Sequence, residues 1–281
     1  MRLVATVFLW ILTTIALAVA VPAMWAQKNF VDERGYSAFA ASAAHDPGLQ
    51  EAMVNELTEP VSNKLAAAGS DVRPTSVHPF LEAYVKGPSF PGQFALINQN
   101  AHRWLFTDAM QQGQDSNSPV VVDLTPMLSD PDFKNLLATF NVELPDSLVV
   151  PLKLSEGLRP GQLRPLSTWG PWVSVGAAIL TGVCALLMLA AARSRGKALA
   201  ALGVSALLVG AAGWAGLEVA RRHMNAVLNR VNGNVRDVAE ALINHGVGGL
   251  HLWLNLTLAA GGVLVVAGAV LSMLGGLRRK D

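Results

Sequence analysis

The sequence contains few of the groups on which covalent stabilisation depends. Cys184 is the single cysteine in 281 residues, so no disulfide can form within the chain and any folded domain must be held together by packing. Only 15% of the residues are charged, whereas 52% are hydrophobic. This balance is too apolar for an ordinary soluble chain of this length. The composition therefore excludes a disulfide-rich scaffold and indicates a membrane protein.

The sequence also lacks the short motifs that identify common catalytic and cofactor sites. It has no H-x-x-x-H or H-E-x-x-H pattern for a metal, no G-x-S-x-G nucleophile turn and no G-x-x-x-x-G-K-[ST] phosphate loop. We therefore predict no catalytic residue, no metal site and no cofactor. An extracytoplasmic enzyme without a recognisable motif stays open, and a deep polar pocket around His78 or His102 would favour it. His102 and Asp108 could meet a hydroxyl group in the folded chain. No motif supports such a site, so the simpler expectation for both residues is a surface or capping role.

What the sequence does contain is four hydrophobic stretches long enough to cross a bilayer. They cover roughly residues 3–25, 172–192, 198–217 and 248–274. Their order predicts six segments along the chain: transmembrane helix 1 at 1–26, an extracytoplasmic domain at 27–168, transmembrane helix 2 at 169–193, a cytoplasmic turn and transmembrane helix 3 at 194–218, an extracytoplasmic helical segment at 219–247, and transmembrane helix 4 with a basic cytoplasmic tail at 248–281.

Basic residues beside the hydrophobic stretches predict the orientation. Arg2 precedes the first stretch, a basic turn at 193–197 joins the second and third, and residues 278–280 follow the fourth. Short basic connections are retained in the cytoplasm, so we predict a multi-pass plasma-membrane protein whose N-terminus and C-terminus are both cytoplasmic. Four arginines within 219–247 oppose this orientation, but the reverse orientation would place three basic clusters outside.

The net charge of the whole chain hides an uneven distribution. Residues 27–168 hold ten Lys or Arg and sixteen Asp or Glu, a net charge of −6. An acidic domain does not attract a polyanion, so nucleic acid is not expected as a partner. The bilayer itself is the expected environment for the rest of the chain.

The first hydrophobic stretch could be a retained anchor or a cleaved signal peptide. Val21-Pro22-Ala23 resembles a cleavage site. The apolar run is longer than the usual signal core, and Trp25 stands where an interfacial anchor would. We expect a retained helix.

The extracytoplasmic domain reads as mostly helical. Asp46-Pro47 and Asp130-Pro131 carry the chemistry of helix starts, and Pro60 is expected to kink or divide the first of these helices. The remaining expected helices lie near Tyr36 and Phe39, at 78–85 and at 90–110. Val120–Val122 and 147–155 are plausible strands, and 155–167 reads as a stalk. The predicted fold class is a mainly α membrane protein with four transmembrane helices, a mostly helical extracytoplasmic domain and a small two-stranded β element.

A heptad-spaced apolar seam covers residues 224–242. Met224, Leu228, Val231, Val235, Val238 and Leu242 follow spacings that continue the phase of the third hydrophobic stretch. This pattern predicts one long outward helix. Its seam is expected to pack within the chain, and an envelope protein partner or self-association through the seam is the alternative.

Polar residues near the third and fourth hydrophobic stretches form the one candidate site. Glu218 and Arg222 stand at the end of the third stretch, and His251 and Asn255 lie one turn apart on the fourth. If the two helices pack antiparallel, the four residues would converge near the outer surface and could serve a solute or proton path. The structural alternative is an i, i+4 pair of Glu218 with Arg222 and a hydrogen bond from Asn255 to a neighbouring helix.

Four runs in the chain carry a resemblance to a known group of proteins. They are VDERGYSAFAASAAHDPGLQEAMVNELT at 31–58, AHRWLFTDAM at 101–110, VVVDLTPML at 120–128 and ARSRGKALAALG at 192–203. In this order they resemble uncharacterised actinobacterial four-pass integral membrane proteins with an extracytoplasmic helical domain. The spacing before Tyr36 and the length of the segment between the last two stretches depart from that pattern. The resemblance implies an actinobacterial plasma membrane and transfers no site residue.

The expected function follows from this layout. We predict a non-enzymatic membrane protein that presents its extracytoplasmic domain for binding, scaffolding or sensing of an envelope component. The alternative is a component of a membrane transport system that uses Glu218, Arg222, His251 and Asn255.

Overall fold

The structure is a computed structural model, and it describes residues 2–67, 73–107, 120–123, 130, 131, 134, 135, 138, 149–152, 160–228 and 234–277. The chain divides into two compact units. The first, here called the apolar unit, contains residues 1–28, 168–223 and 246–281. The second, here called the helical domain, contains residues 29–167 and 224–245.

In the part of the helical domain that the structure describes, four helices follow a π-helical turn at Gln27–Val31. They are α2 Glu33–Ala43, α3 Pro47–Ala67, α4 Pro74–Val85 and α5 Phe90–Phe106. The helix α1 that precedes the turn spans Arg2–Ala26. The predicted helices near Tyr36 and at 78–85 are therefore confirmed, although α4 begins earlier than expected. The helix predicted at 90–110 is present but ends at Phe106, and residues 108–110 lie outside the described residues.

The start of α3 follows the predicted Asp-Pro chemistry. One carboxylate oxygen of Asp46 accepts hydrogen bonds from the backbone N–H groups of Gly48 at 2.8 Å and Leu49 at 3.4 Å. Proline fits the first helical position because that N–H would have no helical partner. Pro60 does not divide α3, which continues to Ala67. Side chains on both sides of Pro60 pack on the core, and this packing offsets the backbone hydrogen bond that proline removes.

The structure describes only part of the second expected helix start, Asp130-Pro131. Asp130 is buried, and its carbonyl accepts a hydrogen bond from the Lys134 N–H at 2.9 Å, the spacing of one helical turn. The apolar face predicted there, formed by Phe133, Leu136, Leu137 and Phe140, lies outside the described residues.

The helical domain has its own hydrophobic core. Leu49 of α3 and Val77 and Leu81 of α4 are 0% exposed, and side chains from α2 and α5 join the same cluster. Each fully buried aliphatic side chain contributes about 1.5–3 kcal/mol relative to an exposed one. The domain is therefore held together by packing, as its lack of cystine requires.

Part of the apolar seam packs on that core. Val238, Ala241 and Leu242 contact the core cluster as partly buried residues. They belong to helix α8, described over Asn234–Leu277, and Met224 and Leu228 belong to helix α7, described over Arg195–Leu228. Residues 229–233 lie outside the described residues, so the expectation of one long helix through the seam stays a prediction. Val231 and Val235 fall outside the described side chains.

Two short strands accompany the helices. β1 Val120–Asp123 and β2 Val149–Leu152 pair antiparallel, with Val120 opposite Leu152 and Asp123 opposite Val149. An isolated pair of four-residue strands is marginal by itself, so the architecture of the domain is helical.

The predicted stalk is not free where the structure describes it. The N–H groups of Gly161 and Leu163 donate to the carbonyls of Trp104 and Leu105 at 2.9 and 3.0 Å. These bonds attach the segment to the end of α5. Gly161 has a φ of 70°, a conformation that glycine adopts without steric cost, which explains why this residue stands in the turn.

Within the described ranges, four helices are long and apolar enough to cross a membrane, as predicted. They are α1 together with α6 Arg164–Ala191, α7 Arg195–Leu228 and α8. Among the described residues, every exposed large hydrophobic side chain except Phe80 and Leu96 lies on one of these four helices. Such a surface is unfavourable in water and favourable against lipid tails.

Small residues bring α7 and α8 into close contact. A Cβ atom added at Gly203 would lie 2.6 Å from the Gly261 carbonyl oxygen, and one at Gly268 would lie 2.4 Å from the Ala200 nitrogen. Only glycine allows backbones to approach this closely. Helix α1 contacts α7 through polar groups, because the Trp10 indole donates to the Ala201 carbonyl at 2.9 Å and the Thr14 and Ser205 hydroxyls lie 2.8 Å apart.

Candidate functional site

Glu218 and Arg222 form a pair on one face of α7. The Arg222 Nε donates to a Glu218 carboxylate oxygen at 3.4 Å. The side chains are 59% and 76% exposed, so the pair is a weak surface interaction. This is the i, i+4 pair of the structural alternative.

His251 and Asn255 are joined to α7 by a residue that the sequence interpretation did not include. The Trp214 indole N–H donates to the Asn255 carbonyl oxygen at 3.1 Å. The same indole ring stacks on the His251 imidazole, with centroids 3.8 Å apart and an interplanar angle of 14°. A tryptophan one turn before Glu218, on the same face of α7, was the available sequence signal.

The candidate site is thus two contacts rather than one cluster. Trp214, His251 and Asn255 form the first, and Glu218 with Arg222 forms the second. Among the described contacts, none joins Glu218 or Arg222 to His251 or Asn255. The Trp214 N–H gives the side-chain oxygen of Asn255 a hydrogen-bond partner. A hydrogen bond of this kind between two helices is the structural alternative predicted for Asn255.

His102 occupies a different environment from the one predicted. Its side chain is 5% exposed, so it does not lie on the surface as expected. The imidazole Nε2 lies 3.0 Å from the Phe30 carbonyl oxygen. The ring stacks on Phe106 at 4.2 Å and faces Tyr36 at 5.0 Å. Aromatic residues spaced along α5 and α2 enclose the imidazole, and Asp108, its suggested partner, lies outside the described residues.

Burial changes the proton affinities of this group. Desolvation lowers the pKa of His102, and the Phe30 carbonyl and the Glu33 charge oppose that effect only in part. Desolvation also raises the pKa of Tyr36, whose hydroxyl donates to Asn98 at 3.2 Å. The neutral forms of both side chains are therefore favoured in the folded domain.

A charged cluster lies beside the buried imidazole. Arg103 contacts Glu33 at 2.7 Å, and the Gln99 amide donates to the same carboxylate at 2.6 Å. Partial burial raises the pKa of Glu33, but the hydrogen bonds from Gln99 and Arg103 and the Arg103 charge outweigh it, so the net shift is downward. Glu33 therefore stays ionised at neutral pH and joins α2 to α5.

A shallow cleft of about 350 Å³ lies between α3 and α4. Its polar lining includes Glu51, His78, Glu82 and Lys86, above an apolar floor. The Lys86 ammonium contacts Glu82 at 2.6 Å, and this contact lowers the pKa of Glu82. The cleft is open, so it excludes little water and lacks the enclosure of a typical catalytic pocket.

Metal-binding groups do not assemble in the described part of the chain. No set of three His, Cys, Asp or Glu side chains there could hold a metal ion. Cys184 is buried in α6 and acts as a small apolar side chain.

Comparisons of the chain with protein-family models, with curated proteins and with solved structures find no match. The resemblance to the actinobacterial membrane proteins therefore stays an expectation.

Proposed function

We propose that this chain is an integral plasma-membrane protein that presents its helical domain outside the cytoplasm, where the domain binds, scaffolds or senses an envelope component. Both termini lie in the cytoplasm in this proposal, and the envelope is of the actinobacterial type. The observation that carries the proposal is the independent core of the helical domain, in which Leu49, Val77 and Leu81 are fully buried. A segment that merely connected membrane helices would not need such a core.

The contrast between the two units supports the proposal. The four long helices expose many large hydrophobic side chains, whereas α2 to α5 expose only Phe80 and Leu96 among their described residues. The first surface suits lipid and the second suits water. The acidic charge of residues 27–168, set against basic short connections, supports an extracytoplasmic placement of the domain.

The α3–α4 cleft is the surface that we propose for the bound component. Glu51 has no cationic partner among the described residues, while Glu82 is neutralised by Lys86. The cleft therefore carries an excess negative charge beside hydrogen-bonding amides and an apolar floor. These groups favour a partner that offers a positive charge and polar hydrogen-bonding groups.

Site-specific cross-linking in intact cells tests this function. A photo-reactive residue in place of Glu51 should capture a discrete envelope component, whereas the same residue in place of Asn63, exposed on α3 outside the cleft, should not. Equal capture at both positions, or at neither, would reject the cleft as a binding surface. Arrival of both variants in the membrane fraction is the control for folding.

The transport alternative depends on Glu218, Arg222, His251 and Asn255. In the structure, these groups satisfy one another or Trp214, which favours a packing role. Self-association through the 224–242 seam is also less favoured, because Val238 and Leu242 already pack on the core of their own domain.

A further inference from the structure

The buried imidazole of His102 has one nitrogen without a hydrogen-bond partner. Nε2 lies 3.0 Å from the Phe30 carbonyl oxygen, and a carbonyl can only accept, so Nε2 carries the proton. Nδ1 is then the unprotonated nitrogen. It is buried and finds no hydrogen-bond partner among the described residues.

Protonation of Nδ1 would bury a charged N–H group at a nitrogen that makes no hydrogen bond among the described residues. The Val31 backbone lies close enough to favour the protonated ring, but burial outweighs it. The neighbours on both ring faces are Phe106 and Tyr36. Aromatic faces attract a cation, but this attraction is smaller than the hydration that a buried imidazolium loses. The folded arrangement around His102 therefore selects the neutral ring.

The charged groups around His102 do not reverse this selection. Those that face it or the rings beside it are Asp32, Glu33, Tyr36, Arg103 and His245. Glu33 is engaged by Arg103 and Gln99, so much of its charge is already compensated. His245 is separated from His102 by two rings, because it packs on the edge of Phe39, which in turn stacks on Tyr36.

The Phe30 carbonyl belongs to the π-helical turn Gln27–Val31. A π-helical turn often marks a functional position, because its hydrogen bonding departs from that of an α-helix. The His102 bond thus joins the C-terminal part of α5 to an irregular turn. Both protonation states of the imidazole can donate this bond, but only the neutral ring keeps it without burying a poorly solvated charge.

We propose that His102 and the Phe30 carbonyl form a proton-sensitive contact that holds α5 against the π-helical turn and opens when the imidazole is protonated. The sign follows from linkage: the imidazole is less basic in the folded domain than in the unfolded chain. Its contribution is therefore constant at pH values above the unfolded pKa and is lost as the pH falls below it. The proposal holds whether or not the α3–α4 cleft binds a partner.

Amide hydrogen exchange on the full chain in lipid nanodiscs tests the contact. Between about pH 7.5 and about pH 5, after correction for intrinsic exchange, protection in peptides covering 27–36 and 98–107 should fall by up to about thirtyfold. Peptides of α3 should change less. Unchanged protection in the wild-type protein would overturn the proposal without recourse to any variant.

Two substitutions assign the effect to this side chain. His102→Gln keeps a donor for the Phe30 carbonyl, and His102→Phe keeps the ring stacking; both should remove the pH-dependent loss. His45→Gln, at an exposed imidazole of the same domain outside the cleft, should retain it. A loss of the same size in His102→Gln and His102→Phe would overturn the proposal, as would its disappearance in His45→Gln.

Discussion

Leu81 and Leu96 have the same side chain in the same domain, but their surroundings differ. Leu81 is 0% exposed, in the core, whereas Leu96 is 40% exposed on α5. Leu81→Ala should lower the free energy of unfolding of the helical domain by about 2–5 kcal/mol, because it removes buried apolar area and leaves a cavity. Limited proteolysis of the full chain across a urea series measures this loss.

Leu96→Ala is the matched control and should change the domain by less than about 1 kcal/mol. If both substitutions had the same effect, the core assignment would be wrong.

Trp214 tests whether the polar residues of α7 and α8 act in packing. Trp214→Phe keeps an aromatic ring for His251 but removes the N–H that donates to Asn255. We expect the free energy of unfolding of the detergent-solubilised chain, measured by thermal unfolding, to fall by about 1 kcal/mol. Because the two groups are bonded to each other, the destabilisation of the double variant Trp214→Phe/Asn255→Leu should be smaller than the sum of the losses in the two single variants.

Full additivity of the two substitutions would contradict a direct bond. Loss of a solute gradient in Asn255→Leu, with stability unchanged, would instead favour the transport alternative.

The residues of the candidate site show what sequence can and cannot reveal. The i, i+4 spacing of Glu218 and Arg222 was sufficient to predict their pair, since it depends on one helix alone. Trp214 was missed because its partner lies on another helix, at a separation of 41 residues. His102 was expected on the surface because no catalytic or metal motif includes it, whereas its burial comes from contacts with residues distant in sequence, such as Phe30 and Tyr36.

At the level of helices, adjacent glycines of α8 give a sharp test of close packing. A Cβ at Gly261 would lie 2.9 Å from the Gly203 carbonyl oxygen and 2.9 Å from the Leu207 nitrogen, whereas one at Gly262 would meet nothing within 4 Å. Gly261→Ala should therefore destabilise the apolar unit by about 1–3 kcal/mol, as overpacking does. Thermal unfolding in detergent measures this change.

Gly262→Ala should be neutral or stabilising by up to about 1 kcal/mol, because alanine is the better helix former. Equal destabilisation by both would indicate that α7 and α8 do not meet at Gly261.

The helices were mostly predictable because hydrophobic periodicity and Asp-Pro starts are local signals. The course of the 224–242 seam stays a prediction, because heptad spacing favours one helix whereas Asn232-Gly233-Asn234 favours a turn. The attachment of Gly161 and Leu163 to the end of α5 was not predictable, since it depends on backbone hydrogen bonds that leave no trace in composition.

For the whole molecule, the contacts of α1 bear on whether the first helix is retained. Trp10 and Thr14 bond to Ala201 and Ser205 of α7. Without α1, the Ser205 hydroxyl and the Ala201 carbonyl would lose these two contacts and keep their own hydrogen bond of 3.2 Å. We propose that the mature protein keeps α1. The intact mass of the chain purified from membranes should include residues 1–26, and a mass beginning after Ala23 would contradict this proposal.

The two units together explain the uneven composition of the chain. Apolar surface is concentrated on the four long helices, and the acidic charge is concentrated in residues 27–168. The proposed function depends on the side of the membrane on which the helical domain lies.

Cysteine accessibility tests that placement most directly. Cys184 is the only cysteine, so Cys184→Ser gives a background for single cysteines at Asn63 on α3 and at Lys197 in the basic turn, both exposed. A membrane-impermeant maleimide added to intact spheroplasts should label Asn63→Cys at once and Lys197→Cys only after lysis. Labelling of Lys197→Cys in intact spheroplasts, with Asn63→Cys protected, would contradict the proposed topology and the function that depends on it.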